Sequence, residues 1–422
     1  MSILTDPPKE SFRLSMLIYD TRYRSTTIQV VALIGFLILF GWIISNTASN
    51  LADLGKEPSF GFLGEPAGYD INQRLLEYDN QNSHMRAAII GLLNTLLVAF
   101  LGCITATVLG VVIGVLRLSK NWLISRLMTI YVEMFRNVPV LLWIVFIMAI
   151  LIETLPGPRE FRGEDATASM ALFDTVAVTN RGVYVPEPLF SNSLGDVHFL
   201  GDSAFRFDVS LDLIAFLIVF GASLFVSAKM KAWADKTQEA TGLRPTTWHM
   251  RSAVVLLPSA LLFVVLGFHL GYPELKGFNF AGGIHMRNSL IALWLALSLY
   301  TAAFIAEIVR SGILAISKGQ TEAAAALGLR PNRIMNLVIL PQALRVIIPP
   351  LISNYLNLTK NSSLAIAVGY MDLTGTLMGI TLNQTGRELE TVMIGMLIYL
   401  TISLVISGAM NWYNNRVKLV ER

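Results

Sequence analysis

About eight times along this chain, a run of roughly 20 mostly apolar residues recurs with few charges inside it, which is the length that crosses a hydrocarbon core as a helix. A bilayer offers a backbone amide no partner other than the chain itself, so each run must close its own hydrogen bonds. The runs are too long and continuous for barrel strands. The fold class expected is therefore all-α, a polytopic membrane protein. Composition agrees, with 14% charged residues against roughly 25% in soluble domains.

The runs fall at about 28–46, 91–116, 139–155, 209–228, 252–270, 289–309, 344–369 and 391–412. The first starts too late, and is too long, for a cleaved signal peptide, and no small-x-small site follows it. It is expected to remain as an anchor. Basic residues set the orientation. Lys9, Arg13, Arg22 and Arg24 precede the first run, and alternate loops carry Arg117, Lys120, Arg126 and Arg136, then Lys229, Lys231, Lys236, Arg244 and Arg251, then Lys318, Arg330, Arg333 and Arg345. Arg416, Lys418 and Arg422 close the chain. The intervening loops are acidic, with Asp53, Glu57, Glu65, Asp70, Glu77 and Asp79 in the first and Glu160, Glu164, Asp165, Asp174, Glu187, Asp196 and Asp202 in the second. Both termini are thus expected in the cytosol, and the polar stretch 156–208 outside, as a small periplasmic cap.

Single residues say less. Cys103 lies inside an apolar run and reads as a small packing residue. The five histidines are scattered without metal-ligand spacing. No metal, cofactor or nucleic-acid partner is expected. Gly110 and Gly114 are spaced for close helix packing. Glu133 with Arg136, and Glu307 with Arg310, are spaced to pair within their own helices.

The most informative loop follows the sixth run. It reads Lys318-Gly319-Gln320-Thr321-Glu322, four alanines from Ala323 to Ala326, then Leu327-Gly328. The alanines favour a thin helix, and Gly328 permits a turn that a side chain would obstruct. Ile334, Leu337 and Val338 then recur at helical spacing up to Leu340-Pro341. A thin helix, a glycine hinge and an amphipathic helix outside the bilayer suit a docking element.

Glu322-Ala323-Ala324, Gly328 and Val338-Ile339-Leu340-Pro341 at these spacings resemble the EAA loop of ATP-binding-cassette importer permeases. Val338 stands where isoleucine is usual. Gly91-Leu92-Leu93-Asn94-Thr95-Leu96, Tyr131-Val132-Glu133-Met134-Phe135-Arg136, the stretch 301–310 and Pro341-Gln342-Ala343-Leu344-Arg345 resemble the polar amino acid branch. The length and the interrupting insert are most similar to its general L-amino acid and glutamate/glutamine/aspartate/asparagine permeases. The resemblance covers 85–155 and 285–412, which hold the family's usual five-helix core. It implies a non-catalytic subunit that forms the path for polar L-amino acids in a bacterial inner membrane. It also implies separate ABC ATPase subunits, a second permease subunit of a different sequence and a periplasmic amino-acid-binding protein. Glu322, Ala323, Ala324, Gly328, Leu340 and Pro341 would seat on the ATPase. No Gly-x-x-x-x-Gly-Lys-[Ser/Thr] phosphate loop occurs in this chain.

The organisation expected is a cytosolic tail, anchor helix and periplasmic loop (1–84), the first part of the core (85–155), a periplasmic loop with two inserted spans (156–284), and the second part of the core with the coupling loop (285–422). Two inserted spans return the chain to the same side, so the coupling loop stays cytosolic. In the seventh run, Asn354, Asn357 and Asn361 share a face within about 60°, with Lys360 beside them. Polar groups at that depth are costly, and either line a solute path or bond a neighbouring helix. Asn94 and Thr95 form a weaker candidate pair for the path. A self-contained ion-coupled transporter is the alternative reading. It would need acids inside the spans, where Asp212 and Glu307 are the candidates and both sit near run ends.

The charge pattern predicts that a topology reporter fused after Gly182 is active only outside the cell, and one fused after Lys236 only in the cytosol. Outside activity at Lys236 would remove one of the two inserted spans.

Overall fold

In a computed structural model of the chain, residues 15–55, 58–163, 166–201 and 203–417 are described. Lys9, Arg13, Glu57, Glu164, Asp165, Asp202, Lys418 and Arg422, all used above for orientation, lie outside them. The chain divides into two units, 1–60 and 61–422. The first consists of a short turn of helix, Met16–Tyr19, and one long helix, α1 (Thr21–Asp53). Apolar side chains lie on every face of α1 from Ile28 to Ile44, as hydrocarbon requires.

In the second unit, α2 (His84–Leu116) leads to α3 (Trp122–Asn137) and α4 (Val140–Thr154). Asn121 caps α3, its Oδ1 accepting from the amides of Leu123 (3.0 Å) and Ile124 (3.3 Å). The paired helices α5 (Leu211–Thr241) and α6 (Trp248–Val265) follow, then α7 (Asn288–Leu314), α8 (Lys318–Ala326), α9 (Leu340–Asn361) and α10 (Glu388–Val417). Eight helices among the described residues are long and apolar enough to cross a membrane, in the order expected.

The bounds differ by several residues at most ends, and three of the differences have a local cause. α5 runs on to Thr241, past the predicted end at 228, because 229–241 are good helix formers until Gly242 ends them at φ 72°. α6 stops at Val265, and Phe268–Gly271, predicted as the end of that run, is a strand. The seventh span begins earlier, at Pro331, and changes character after Asn361, continuing as a 3₁₀ segment Ser362–Val368. Pro349 and Pro350 interrupt the hydrogen-bond ladder of α9.

Helical periodicity gave no hint of nine short strands, β1 to β9, in the polar connections. Before α5 lie β1 (Ala177–Thr179), β2 (Gly182–Val185), β3 (Glu187–Phe190), β4 (Asp196–Phe199) and β5 (Phe207–Ser210). After α6 lie β6 (Phe268–Gly271), β7 (Glu274–Lys276), β8 (Asn279–Ala281) and β9 (Ile284–Arg287). All pairs are antiparallel. β2 pairs with β9, Tyr184 opposite His285, and β3 pairs with β6, Leu189 opposite His269. The segments on the two sides of the α5–α6 pair are therefore stitched together. Their small core holds Ala177, Tyr184 and Phe280, and the Tyr184 and His285 rings stack at 4.1 Å.

The main core lies where α2, α4, α7 and α9 meet, through Val98, Ala106, Ile144, Leu297, Ile305 and Leu358, all fully buried. The seam between α2 and α7 is the most extensive. A Cβ on Gly110 would stand 2.6 Å from Ile305 Cβ, and one on Gly114 would stand 2.7 Å from the Ala306 carbonyl oxygen. The Gly-x-x-x-Gly spacing is thus a packing device, as its sequence implied. Overpacking such a contact costs about 1–3 kcal/mol. Gly114→Leu should lower the melting temperature of the purified protein, whereas Gly221→Leu, on α5 with nothing within 4 Å of a new Cβ, should leave it unchanged. Equal melting of the two variants would contradict the seam.

Candidate functional site

The loop after α7 folds much as its residues dictate. α8 presents Glu322, Ala323, Ala325 and Ala326 outward, with only Ala324 buried. It ends at Leu327, and Gly328 takes φ 77°. The Gly328 amide donates to Ala325 O at 2.9 Å, and the Leu329 amide to Ala324 O at 3.3 Å. These two bonds form a Schellman cap, which needs a left-handed residue at its centre. A Cβ on Gly328 would meet nothing within 4 Å, so here the glycine answers to backbone geometry alone. A turn at Pro331–Ile334 and a π-helical turn at Met335–Ile339 then lead into α9.

Around this hinge the apolar side chains are uncovered. Leu327 is 82% exposed and Leu337 60%, with Met335 and Leu340 also exposed. Pro341 is exposed as well. Glu322 is exposed and carries none of the ion pairs found among the described residues. Leu327 lies outside the candidate spans, and Met335, Leu337, Leu340 and Pro341 lie at the start of the helix that carries the seventh, so exposed apolar surface runs from the loop into that helix.

About two turns back from the end of α7, Glu307 gathers three arginines from three helices. Its carboxylate pairs with Arg117 at the end of α2, with Arg310 at 3.2 Å on its own helix, and with Arg136 at 3.9 Å at the end of α3. Arg136 also lies 5.4 Å from the centre of the Phe304 ring, within cation–π range. The expected Glu307–Arg310 pair is present. The expected Glu133–Arg136 pair is not among those described. Arg136 turns to Glu307 instead, and Glu133 Oε2 accepts from Asn137 Nδ2 at 3.3 Å. The shared carboxylate ties α2, α3 and α7 together immediately before the exposed loop.

Asn94 and Thr95 are both fully buried. Asn94 Nδ2 donates to Gln73 O at 2.7 Å and to Met371 O at 2.9 Å. Thr95 Oγ1 donates to Gly91 O and accepts from the Leu373 amide, each at 3.1 Å. Three of these bonds run to the loop before α2 and to the segment after α9, while Asn94 Oδ1 is buried without a hydrogen-bond partner. Their partners come from a segment that sequence reasoning passed over. Tyr370 donates to Asn94 O at 3.1 Å. Asp372, fully buried, accepts from the Gly375 amide at 2.8 Å and from Tyr399 on α10 at 3.0 Å. The signal was available, because Asp372 is the lone charge between Lys360 and Arg387. Both its oxygens are engaged in holding the 370–381 segment between α2 and α10. Asp212, the other candidate acid, accepts from Ser193 Oγ (2.6 Å) and the Leu194 amide (2.9 Å) at the start of α5.

The asparagine face of α9 behaves differently. Leu351, Leu358 and Thr359 carry the buried side of this helix. Asn357 and Lys360 are exposed, and Asn354 and Asn361 are half-buried at the edge. Asn354 Nδ2 donates to Pro350 O at 3.0 Å, within its own helix. Among the described residues, no hydrogen bond joins this face to another helix. Lys360 lies in the last helical turn, where a cation is favoured by the helix dipole, and not mid-helix as the run suggested.

The binding-protein-dependent transport system inner membrane component family matches residues 245–419. Over the full length of both chains, the sequence is 59% identical to the glutamate/glutamine/aspartate/asparagine transport system permease protein BztB of Rhodobacter capsulatus. This chain belongs to the ATP-binding-cassette importer permeases, in their polar amino acid branch. It is also 44% identical to the general L-amino acid transport system permease protein AapQ of Rhizobium johnstonii, over 98% of this chain and 96% of that one. Among solved structures, one titled "Crystal structure of an amino acid ABC transporter with histidines" is 19% identical, with a TM-score of 0.43, covering 78% of this chain and 94% of the other. The chain is thus a multi-pass inner-membrane permease of a transport family whose members in this branch are named for amino acids.

Proposed function

We propose that this permease carries polar L-amino acids inward and takes its energy from a separate ATPase, which seats on α8, the Gly328 hinge and the exposed rim up to Leu340-Pro341. The observation that carries the reading is that hinge. A helix thinned by alanines, stopped by a left-handed glycine and ringed by exposed leucines, lies between two membrane spans. The names of its relatives supply the solute class, with acidic amino acids and their amides the nearest. In this reading 85–155 and 285–412 form the core, with 1–84 added before it and 156–284 inserted within it. Both termini are cytosolic, a second and different permease subunit completes the path, and a periplasmic binding protein delivers the solute.

The α9 face of Asn354, Asn357, Lys360 and Asn361 is the solute-facing surface in this reading. An amino acid needs donors for its carboxylate and acceptors for its ammonium group, and asparagine amides provide both. Asn94 and Thr95 are left out of the path in this reading because both are fully buried and bond to neighbouring segments.

The coupling loop is tested by Gly328→Asp. A non-glycine residue at positive φ costs on the order of 1–3 kcal/mol, and the change lies outside the spans. Reconstituted with its ATPase, the variant should insert normally yet lose solute-driven uptake, and Glu322→Lys should lose part of it. Full uptake with both changes would exclude this loop as the coupling element.

The solute face has its own test. With Asn354, Asn357 and Asn361 all replaced by alanine, the assembled complex should show reduced uptake or altered selectivity. Uptake kinetics identical to the parent's would assign this face to packing against a partner.

A further inference from the structure

The α5–α6 pair has a feature that amino acid transport does not use. At the end where α6 begins, the two helices part into an open groove of about 390 Å³ lined by Ser227, Trp248, Arg251, Ser252, Val255 and Leu256. Arg251 stands in the first turn of α6, half-buried, with its Nε donating to Ser227 Oγ at 3.2 Å. Among the described residues, no carboxylate reaches it and its two terminal nitrogens have no hydrogen-bond partner. A guanidinium near the end of a spanning helix reaches the interface, where anionic headgroups attract it.

We propose that this groove binds the headgroup of an anionic phospholipid, with the phosphate on Arg251 and the serine hydroxyls. Four observations converge on a lipid. The planar guanidinium matches two phosphate oxygens at once. The floor is polar through Ser227 and Ser252, whereas the wall changes to Val255 and Leu256 and continues along α6 to Leu257 and Leu261, each about two-thirds exposed. That order, polar then apolar along the membrane normal, is the order of a headgroup and its acyl chain. Trp248 at the mouth is 62% exposed, as suits a side chain at the interface.

The surrounding charge favours an anionic over a zwitterionic lipid. Arg244 is neutralised by Asp235 at 2.7 Å. Lys229, which lies over the Phe225 ring at 5.3 Å, and Lys231 are exposed near the same end and take part in no described ion pair. The inference rests on α5 and α6 spanning the bilayer. It depends on neither the direction of transport nor the identity of the solute.

The test is native mass spectrometry of the full-length chain released from nanodiscs, with phosphatidylglycerol, phosphatidylcholine and inorganic phosphate as probes. Phosphatidylglycerol should remain bound in preference to phosphatidylcholine. R251Q should retain it about fivefold more weakly, the effect of one basic residue at a membrane surface, and R251K, which keeps the charge but not the planar fork, should fall between R251Q and the parent. Equal retention of the two lipids by the parent protein would overturn the proposal, and this comparison needs no variant. Equal retention of phosphatidylglycerol by R251Q and the parent would also overturn it. So would displacement of the lipid by millimolar phosphate, which would make the groove a site for the free anion.

Discussion

Inside a bilayer, burying one apolar helix against another gains little from leaving water, because lipid tails are as apolar as leucine. Association then depends on how closely two backbones approach. In this permease that approach is made by Gly110 and Gly114 of α2 against Ala302, Ile305 and Ala306 of α7. The rest of the bundle is hung on this seam. α7 is buried on most of its surface, carries Glu307 to the point where Arg117 and Arg136 meet it, and leads into the exposed helix α8. The position of α8 relative to the membrane is thus fixed by two glycines on another helix.

Polar side chains divide into two populations with different jobs. Asn94, Thr95, Tyr370, Asp372 and Tyr399 are buried or half-buried, and their bonds cross from one segment to another. They hold the turn at 370–372 and the π-helical segment Thr374–Thr381 against α2 and α10. Asn354, Asn357, Lys360 and Asn361 lie at or beyond the edge of the packed side of α9 and bond to no other helix among the described residues. Distinguishing the two sets requires knowing which face of a helix is covered, and α9 is covered on one side by Leu351, Leu358 and Thr359.

The order and number of spans were legible because hydrocarbon thickness enforces a length, and the Gly328 hinge was legible because only glycine holds positive φ at no cost. The strands were not: β1–β2, β4–β5 and β7–β8 are local pairs of three or four residues, too short to show a period, and β2–β9 and β3–β6 are set by partners on the far side of the α5–α6 pair. The role of Asn94 was ambiguous for the same reason. An asparagine in a membrane helix reads alike whether a solute or the Met371 carbonyl meets it. Glu133 and Glu307 have the same spacing to an arginine, yet only Glu307 sits where three helix ends converge.

The pairing of β2 with β9 gives the insert an unusual independence. Val183 opposite Met286 and Tyr184 opposite His285 bring the two ends of the α5–α6 segment side by side, so that α4 and α7 meet the insert through a closed neck. Closing a loop costs entropy that grows only with the logarithm of its length, about 0.6 kcal/mol per doubling. A connection of this kind can gain or lose whole helices while the entropy charged to the bundle barely changes. The neck thereby lets the α5–α6 pair and the helices on either side of it fold with little entropic cost to one another.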